Sequence, residues 1–196
     1  VIALVQRLTW RADFTAFYTA AVMVKDGMGD QLYDFELQTM YQQRILGGRY
    51  LVDGLMAFYY PPYVAMLLRP LALLSRRSAY IVWTIVQVLL LSVTLDRLWA
   101  FARIEGWSSR ARVSLVSVTV ALPSMMLAFL LGSFSLWALL CLLEFSIALY
   151  RGADVSAGLW LALGLSKPQT MLFAGLMLMA LGLWRSVLIV VSVVTG

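Results

Sequence analysis

The chain contains no histidine, one cysteine and few charged residues for its length of 196. Without histidine it cannot use imidazole as an acid, a base or a metal ligand. The lone Cys141 lies in an apolar run, which excludes a disulfide framework and a metal site built from cysteines. Charged residues make up 13%, against roughly a quarter in soluble domains. These scarcities exclude a soluble enzyme, a disordered tail and a nucleic-acid-binding domain.

Apolar residues are what the chain has in abundance. They make up 62% of it, and the mean hydropathy is +0.86. The net charge of +5 needs no acidic partner, because basic loops are expected beside membrane helices. The composition predicts an integral membrane protein, all-α, folded as a polytopic transmembrane helix bundle.

The chain has the pattern of a fragment with three parts. Val1–Val5 is too short to cross a bilayer, which takes about 20 apolar residues, so 1–10 is interpreted as the end of a preceding transmembrane helix. Residues 11–57 form a polar loop, and 58–196 form a transmembrane body. That body is apolar almost to its last residue, so we expect further helices on both sides of the chain.

The polar loop is predicted to carry two amphipathic helices. Residues 11–53 hold ten of the 25 charges. One helix begins at Asp13, as its N-cap, and stops at Gly27. The second covers Phe35–Leu46, with Leu37, Met40, Tyr41 and Ile45 on one face and Glu36, Gln42 and Gln43 opposite. Such helices lie flat at a membrane interface.

The body is predicted to contain five to seven membrane segments. Pro61–Pro62 starts the first, and Pro123 kinks a later one. The segments run from Pro61 to about Leu74, then over 79–95, 113–131, 134–150, 155–165 and 170–183, with a last one after Arg185. Arg76–Arg77 indicates a cytoplasmic turn, which would place 11–53 outside, but the arginine-rich loop 96–112 contradicts this orientation.

Several residues could carry chemistry, and each has a structural alternative. Asp13 could accept a proton from a hydroxyl nucleophile, or simply cap its helix. Asp34 could bind sugar hydroxyls or a cation, or cap the second helix. Tyr59 and Tyr60 could stack on a sugar or a lipid headgroup, or form part of an interfacial aromatic belt. The sequence leaves these alternatives open.

Lys167 lies between two apolar runs, beside Pro168 and Gln169. A cation at membrane depth is costly, so it suits a lipid-linked phosphate, although it could also extend to the interface from a helix end. A transporter or flippase subunit would instead use Lys167 with Glu144 and Arg69 along its pathway. A non-catalytic scaffold subunit is a third possibility.

The order of motifs resembles bacterial glycosyltransferase family 87, over about Arg11 to Arg185. The motifs are D-F-x-x-F-Y at Asp13–Tyr18, Leu32–Tyr33–Asp34, Phe58–Tyr59–Tyr60–Pro61–Pro62, Pro70–Leu71, Gly132 and Lys167–Pro168–Gln169. One departure is Gly132–Ser133, where the family pattern leads us to expect Gly–Gln.

The resemblance implies a GT-C-like membrane enzyme of the bacterial cytoplasmic membrane, with its active site facing the periplasm or cell exterior. It would transfer mannose or a similar sugar from a polyprenyl-phosphate donor to a lipid or glycan acceptor, with inversion. Asp13 would be the general base, and no cofactor is implied; whether a divalent metal takes part is left open. The partners would be the donor, the acceptor and membrane lipids, with no nucleic acid. Substrate binding would fall to Tyr18, Asp34, Tyr59, Tyr60, Lys167 and Gln169.

Overall fold

The computed structural model describes residues 13–47, 54–180 and 182–195, without the side chains of Gln169 and of 193–195. Every regular element in these ranges is a helix, which confirms the all-α prediction. Short 3-10 helices occur at Gly29–Gln31 and Arg69–Leu73. The α-helices are α1 (Asp13–Lys25), α2 (Phe35–Ile45), α3 (Pro62–Leu68), α4 (Arg76–Ile104), α5 (Ser109–Ala121), α6 (Pro123–Leu131), α7 (Ser135–Tyr150), α8 (Asp154–Gly164), α9 (Pro168–Ala180) and α10 (Trp184–Thr195). The preceding helix predicted over 1–10 lies outside the described residues.

The first predicted helix is present but is not amphipathic. Every residue of α1 from Phe14 to Met23 is buried. Small alanines and two threonines alternate with aromatic rings, so neighbouring elements can approach from all sides. A helix that is apolar all round is a core helix. The expectation that it lies flat on a membrane surface is therefore wrong for α1.

The second helix matches its predicted position but buries a different face. Gln38 and Gln42 are its buried residues, although Gln42 was placed on the solvent side. Met40, placed on the apolar side, is 65% exposed. Amides can be buried here because each of them bonds backbone groups, as described below. The pattern of polar residues therefore predicted the wrong buried face for α2.

Helix length limits the number of membrane spans. Among the described residues, α4 alone is long and apolar enough to cross a bilayer, with 29 residues. α5 and α6, bent by 46° at the predicted Pro123 kink, make a second candidate if they are one broken span. α3 and the following 3-10 helix, with seven and five residues, are too short to cross alone. The polytopic bundle stays a prediction.

The predicted breaks between apolar segments are confirmed at two places. Gly132 separates α6 from α7 with a φ of +64°, and the segment after Gly164 separates α8 from α9, which restarts at Pro168. α4 continues well beyond the predicted end at Leu95, so Arg97 and Arg103 belong to a helix rather than to a basic loop. Helix propensity outweighed the charges there.

The chain forms two compact units. The first contains the described residues up to Val86 together with Met126–Ser133, and the second contains Gln87–Met125 with the chain from Phe134 onward. In the first unit, α1 packs against α2, α3 and the 3-10 helix at Arg69–Leu73. In the second, α8 packs between α7 and α10 around an apolar core that includes Phe145, Ala157 and Leu161.

Candidate functional site

The start of α1 is held in place by a glycine from another helix break. A Cβ on Gly132 would lie 2.7 Å from the Cβ of Phe14, which follows Asp13. The ring of Tyr80 packs edge-on to Phe14 at 5.2 Å, and the indole of Trp83 donates to the Gly132 carbonyl at 2.9 Å. These contacts position Asp13, which is half-buried as the first residue of α1.

Tyr60 lies beside this end of α1. Its ring packs edge-on to Phe17, one turn after Asp13, with 4.7 Å between ring centroids. Burial, and then the negative charge of Asp13, raise the pKa of the Tyr60 hydroxyl to about 12. The phenol is protonated at neutral pH, as an unperturbed tyrosine would be, and can donate a hydrogen bond. The structure brings together two predicted site residues, Asp13 and Tyr60, that are 47 positions apart in the sequence.

The two buried glutamines of α2 hold the loop that leads to Tyr60. Gln38 donates to the Leu32 carbonyl at 2.6 Å and accepts from the Phe58 amide at 2.8 Å. Gln42 makes both bonds to the backbone of Met56. Three of these four bonds thus bind the irregular segment 54–58 to α2, and the fourth joins Gln38 to the turn before the helix. The motifs in the sequence did not indicate this role, and the four-residue spacing of the two glutamines was the signal that could have.

A cation that the sequence associates with a cytoplasmic turn, Arg76, also contacts α1. Arg76 is half-buried and donates to the Thr15 hydroxyl at 3.3 Å. This contact places the first turn of α4 beside the first turn of α1. The positive-inside interpretation, which set Arg76 and the polar loop on opposite sides of the membrane, does not agree with this bond. Thr15 was unremarkable in the sequence, so nothing there indicated the contact.

An open groove of about 540 Å³ lies on the outer side of the same loop. Tyr59 is 71% exposed and its ring packs edge-on to Phe35 at 5.8 Å. Tyr59 and Tyr60 therefore point to different places, one into this groove and one towards α1. The groove is lined by Phe35, Glu36, Thr39, Leu55, Ala57 and Tyr59.

Two other predicted site residues have structural partners in this unit. The Asp34 Oδ1 accepts from the amides of Glu36 and Leu37 at 2.9 and 3.0 Å, so the capping interpretation is confirmed. The Tyr18 hydroxyl donates to the Leu74 carbonyl at 2.6 Å. Burial raises the pKa of Tyr18, although the positive charge of Arg76 opposes the shift. Whether either residue also touches a substrate stays a prediction.

Lys167 lies in the second unit, at the start of another helix. Its ammonium donates to the Ser135 hydroxyl at 2.6 Å, in the first turn of α7. The N-cap residue is Phe134, and its side chain makes no capping hydrogen bond. Backbone N–H groups and a lysine at one helix start favour an anion. The side chain of Gln169 lies outside the described residues.

The three residues named for a transport pathway have different local surroundings. Glu144 is 7% exposed and makes two hydrogen bonds with the guanidinium of Arg97, from α4. Arg69 is exposed, and Lys167 bonds Ser135. In the described part of the chain, no three acidic or cysteine side chains cluster as metal ligands.

The described residues thus combine a helix long and apolar enough to cross a membrane with a half-buried carboxylate beside a tyrosine. The sequence model of glycosyltransferase family 87 matches residues 58–196, and the chain belongs to this family. The match begins at Phe58, so Asp13 and α1 precede the matched residues. Comparison with curated proteins and with solved structures finds no match.

Membership implies a glycosyltransferase, with a sugar donor and an acceptor as its substrates. It therefore confirms the family and the general activity expected from the motifs. Family 87 members are membrane glycosyltransferases, which agrees with the apolar α4. No observation favours the transporter alternative.

Proposed function

We propose that the protein transfers a sugar from a polyprenyl-phosphate donor to a hydroxyl of a lipid or glycan acceptor, with Asp13 as the general base. The observation that carries this proposal is the half-buried carboxylate of Asp13 at the end of α1 against which Tyr60 packs. A carboxylate partly removed from water is a stronger base, and a neighbouring phenol can orient a substrate oxygen.

The reaction needs one base and no general acid. Asp13 takes the proton of the acceptor hydroxyl as its oxygen attacks the anomeric carbon of the donor. The bond between that carbon and the phosphate oxygen breaks, and polyprenyl phosphate leaves with the electron pair. Attack from the opposite face inverts the anomeric carbon. The leaving phosphate is already an anion, so a nearby cation suffices to stabilise its growing charge.

Arg76 is the cation we propose for that role. It contacts α1 two residues from Asp13. Lys167, in the second unit, stays a phosphate contact predicted from the sequence. Guanidinium and ammonium groups both make charge-assisted hydrogen bonds to phosphate. Arg76→Gln should lower transfer strongly, whereas Arg77→Gln, at the exposed neighbouring position, should not. Equal losses from both substitutions would remove Arg76 from this role.

The groove beside Tyr59 suits the acceptor. An exposed tyrosine ring can pack against the C–H face of a sugar, and Glu36 and Thr39 can bond its hydroxyls. This assignment applies to a glycan acceptor.

The decisive experiment measures transfer of labelled sugar from polyprenyl phosphate by membranes that contain the protein. Asp13→Asn should lower kcat by roughly 10²–10⁴-fold, the usual contribution of a general base. Asp30→Asn, which removes an exposed acid from the same unit, is the matched control and should keep full activity. Undiminished transfer by Asp13→Asn would overturn the proposed role.

A further inference from the structure

A second groove lies in the other unit, where α8 and α10 begin. Its volume is about 700 Å³, and its lining includes Asp154, Trp160 and Arg185. The Ser186 hydroxyl donates to the Asp154 carbonyl at 2.8 Å, which holds the first turns of the two helices side by side. Gly158 allows this packing, since a Cβ there would lie 2.9 Å from the Ser186 carbonyl oxygen. The mechanism proposed above does not use this groove.

This end of α8 has the composition of a lipid headgroup layer. Tyr150 and Trp184, which flank it in sequence, are 66% and 60% exposed. Exposed tyrosine and tryptophan beside charged residues are typical of headgroup depth. The charged residues from 145 to 196 are Arg151, Asp154, Lys167 and Arg185, and all but Lys167 belong to this end of α8.

The groove presents two opposite charges. Asp154 and Arg185 both line it, yet the two side chains form no salt bridge with each other among the described residues. A carboxylate and a guanidinium in one open groove match a ligand that carries both an ammonium and a phosphate. A ligand with phosphate alone would meet the repulsion of Asp154.

An apolar strip runs from these charges along α8. Val155, Leu159 and Leu163 line the groove at four-residue spacing, and they are 59%, 45% and 41% exposed. Residues at this spacing share one face of a helix, and eight positions extend about 12 Å. The strip is long enough and apolar enough to hold the upper part of an acyl chain.

We propose that this groove binds a phospholipid with a primary ammonium headgroup, phosphatidylethanolamine. Arg185 receives the phosphate, Asp154 receives the ammonium, and an acyl chain follows Val155, Leu159 and Leu163. The three N–H donors of a primary ammonium can bond the carboxylate, whereas the methylated ammonium of phosphatidylcholine has none. The site needs the membrane location of the protein but not its transferase chemistry.

The test counts lipids retained by the purified protein, using native mass spectrometry after exposure to one phospholipid at a time. Wild type should retain about tenfold more phosphatidylethanolamine than phosphatidylcholine or phosphatidylglycerol. Asp154→Asn and Arg185→Gln should each remove most of this retention. Arg151→Gln, an exposed arginine at the same end but outside the groove, is the matched control.

A variant with a new lipid preference tests the proposal without depending on loss of binding. Asp154→Lys should turn the preference towards phosphatidylglycerol, because the groove then carries two positive charges. Thermal unfolding followed by circular dichroism checks that each variant is folded. Arg185→Gln should still transfer sugar in detergent, so failure of this proposal is distinct from failure of the transferase assignment.

Three results would overturn the proposal. The first is equal retention of all three lipids by wild type. The second is equal loss of retention in Arg151→Gln and Arg185→Gln. The third is a lipid-free dimer that Arg185→Gln dissociates, which would assign the groove to a second copy of the chain.

Discussion

At the residue scale, Gly132 is constrained twice. Its φ of +64° is unfavourable for residues with a side chain, and its missing Cβ leaves room for Phe14. The sequence predicted a break at this glycine but not the contact with Phe14. A break is visible in local composition, whereas the neighbour across the gap is more than a hundred positions away.

Gly132→Ala should lower the free energy of unfolding by roughly 2–5 kcal/mol. The left-handed backbone contributes about 1–2 kcal/mol and the forced displacement of Phe14 about 1–3 kcal/mol. Gly27→Ala is the control, because Gly27 has a φ of +84° with nothing within 4 Å of the added carbon. Unfolding in detergent, followed by circular dichroism, measures the free energy of unfolding of both variants. Equal losses in the two variants would contradict the packing argument.

The pKa of Tyr60 should depend on Asp13. Tyrosinate absorbance, taken as the difference between wild type and Tyr60→Phe, should show a group that titrates near 12. Asp13→Asn should lower this pKa, since the phenolate then forms without a neighbouring negative charge. Asp30→Asn removes an exposed acid that does not contribute to this shift, and should leave the pKa unchanged. A Tyr60 pKa insensitive to Asp13→Asn would show that the two groups do not interact.

The same shift has a consequence for stability. The pKa of Tyr60 is 10.0 when unperturbed and about 12 in the folded chain, so between these values the folded state holds a proton that the unfolded state has lost. Its contribution to stability is complete below pH 10 and is lost as the pH rises towards 12. Tyr60→Phe should therefore lose less stability over that interval than wild type.

At the scale of elements, α2 shows how a helix can use polar residues as its buried face. Gln38 and Gln42 bond the loop backbone, and Gln43, one position further, is exposed. Hydrophobic periodicity predicted that α2 exists and where it begins. It predicted the wrong buried face for α2, because an amide that bonds backbone groups loses little free energy on burial.

Gln38→Ala should lower the free energy of unfolding by roughly 2–4 kcal/mol, because the Leu32 carbonyl and the Phe58 amide both lose their bonds. Hydrogen exchange at the Phe58 amide should speed up in the same variant. Gln43→Ala, on the exposed side of the helix, should change stability by less than about 0.5 kcal/mol. An unchanged exchange rate at Phe58 would show that Gln38 does not hold the loop.

At the scale of the whole molecule, α4 is the helix whose length suits a bilayer. Leu89→Arg places a charge in the middle of it, at a position 59% exposed, and should weaken membrane insertion by about 3 kcal/mol. Ile104→Arg, at the last residue of α4, should have little effect because a terminal arginine reaches the headgroups. Glycosylation-site reporters measure the membrane insertion of both variants. Equal insertion of wild type and Leu89→Arg would contradict a membrane position for α4.

The sequence by itself determined the helical class, the breaks at Gly132 and before Pro168, and the family. These depend on composition, on backbone preferences and on motif order, all of which are local or additive along the chain. Tertiary structure alone decided that α1 is buried on all sides, that Arg76 bonds Thr15, and that Tyr60 lies beside Asp13. Those facts depend on which distant segments meet, and the energy of a contact is not contained in either segment alone.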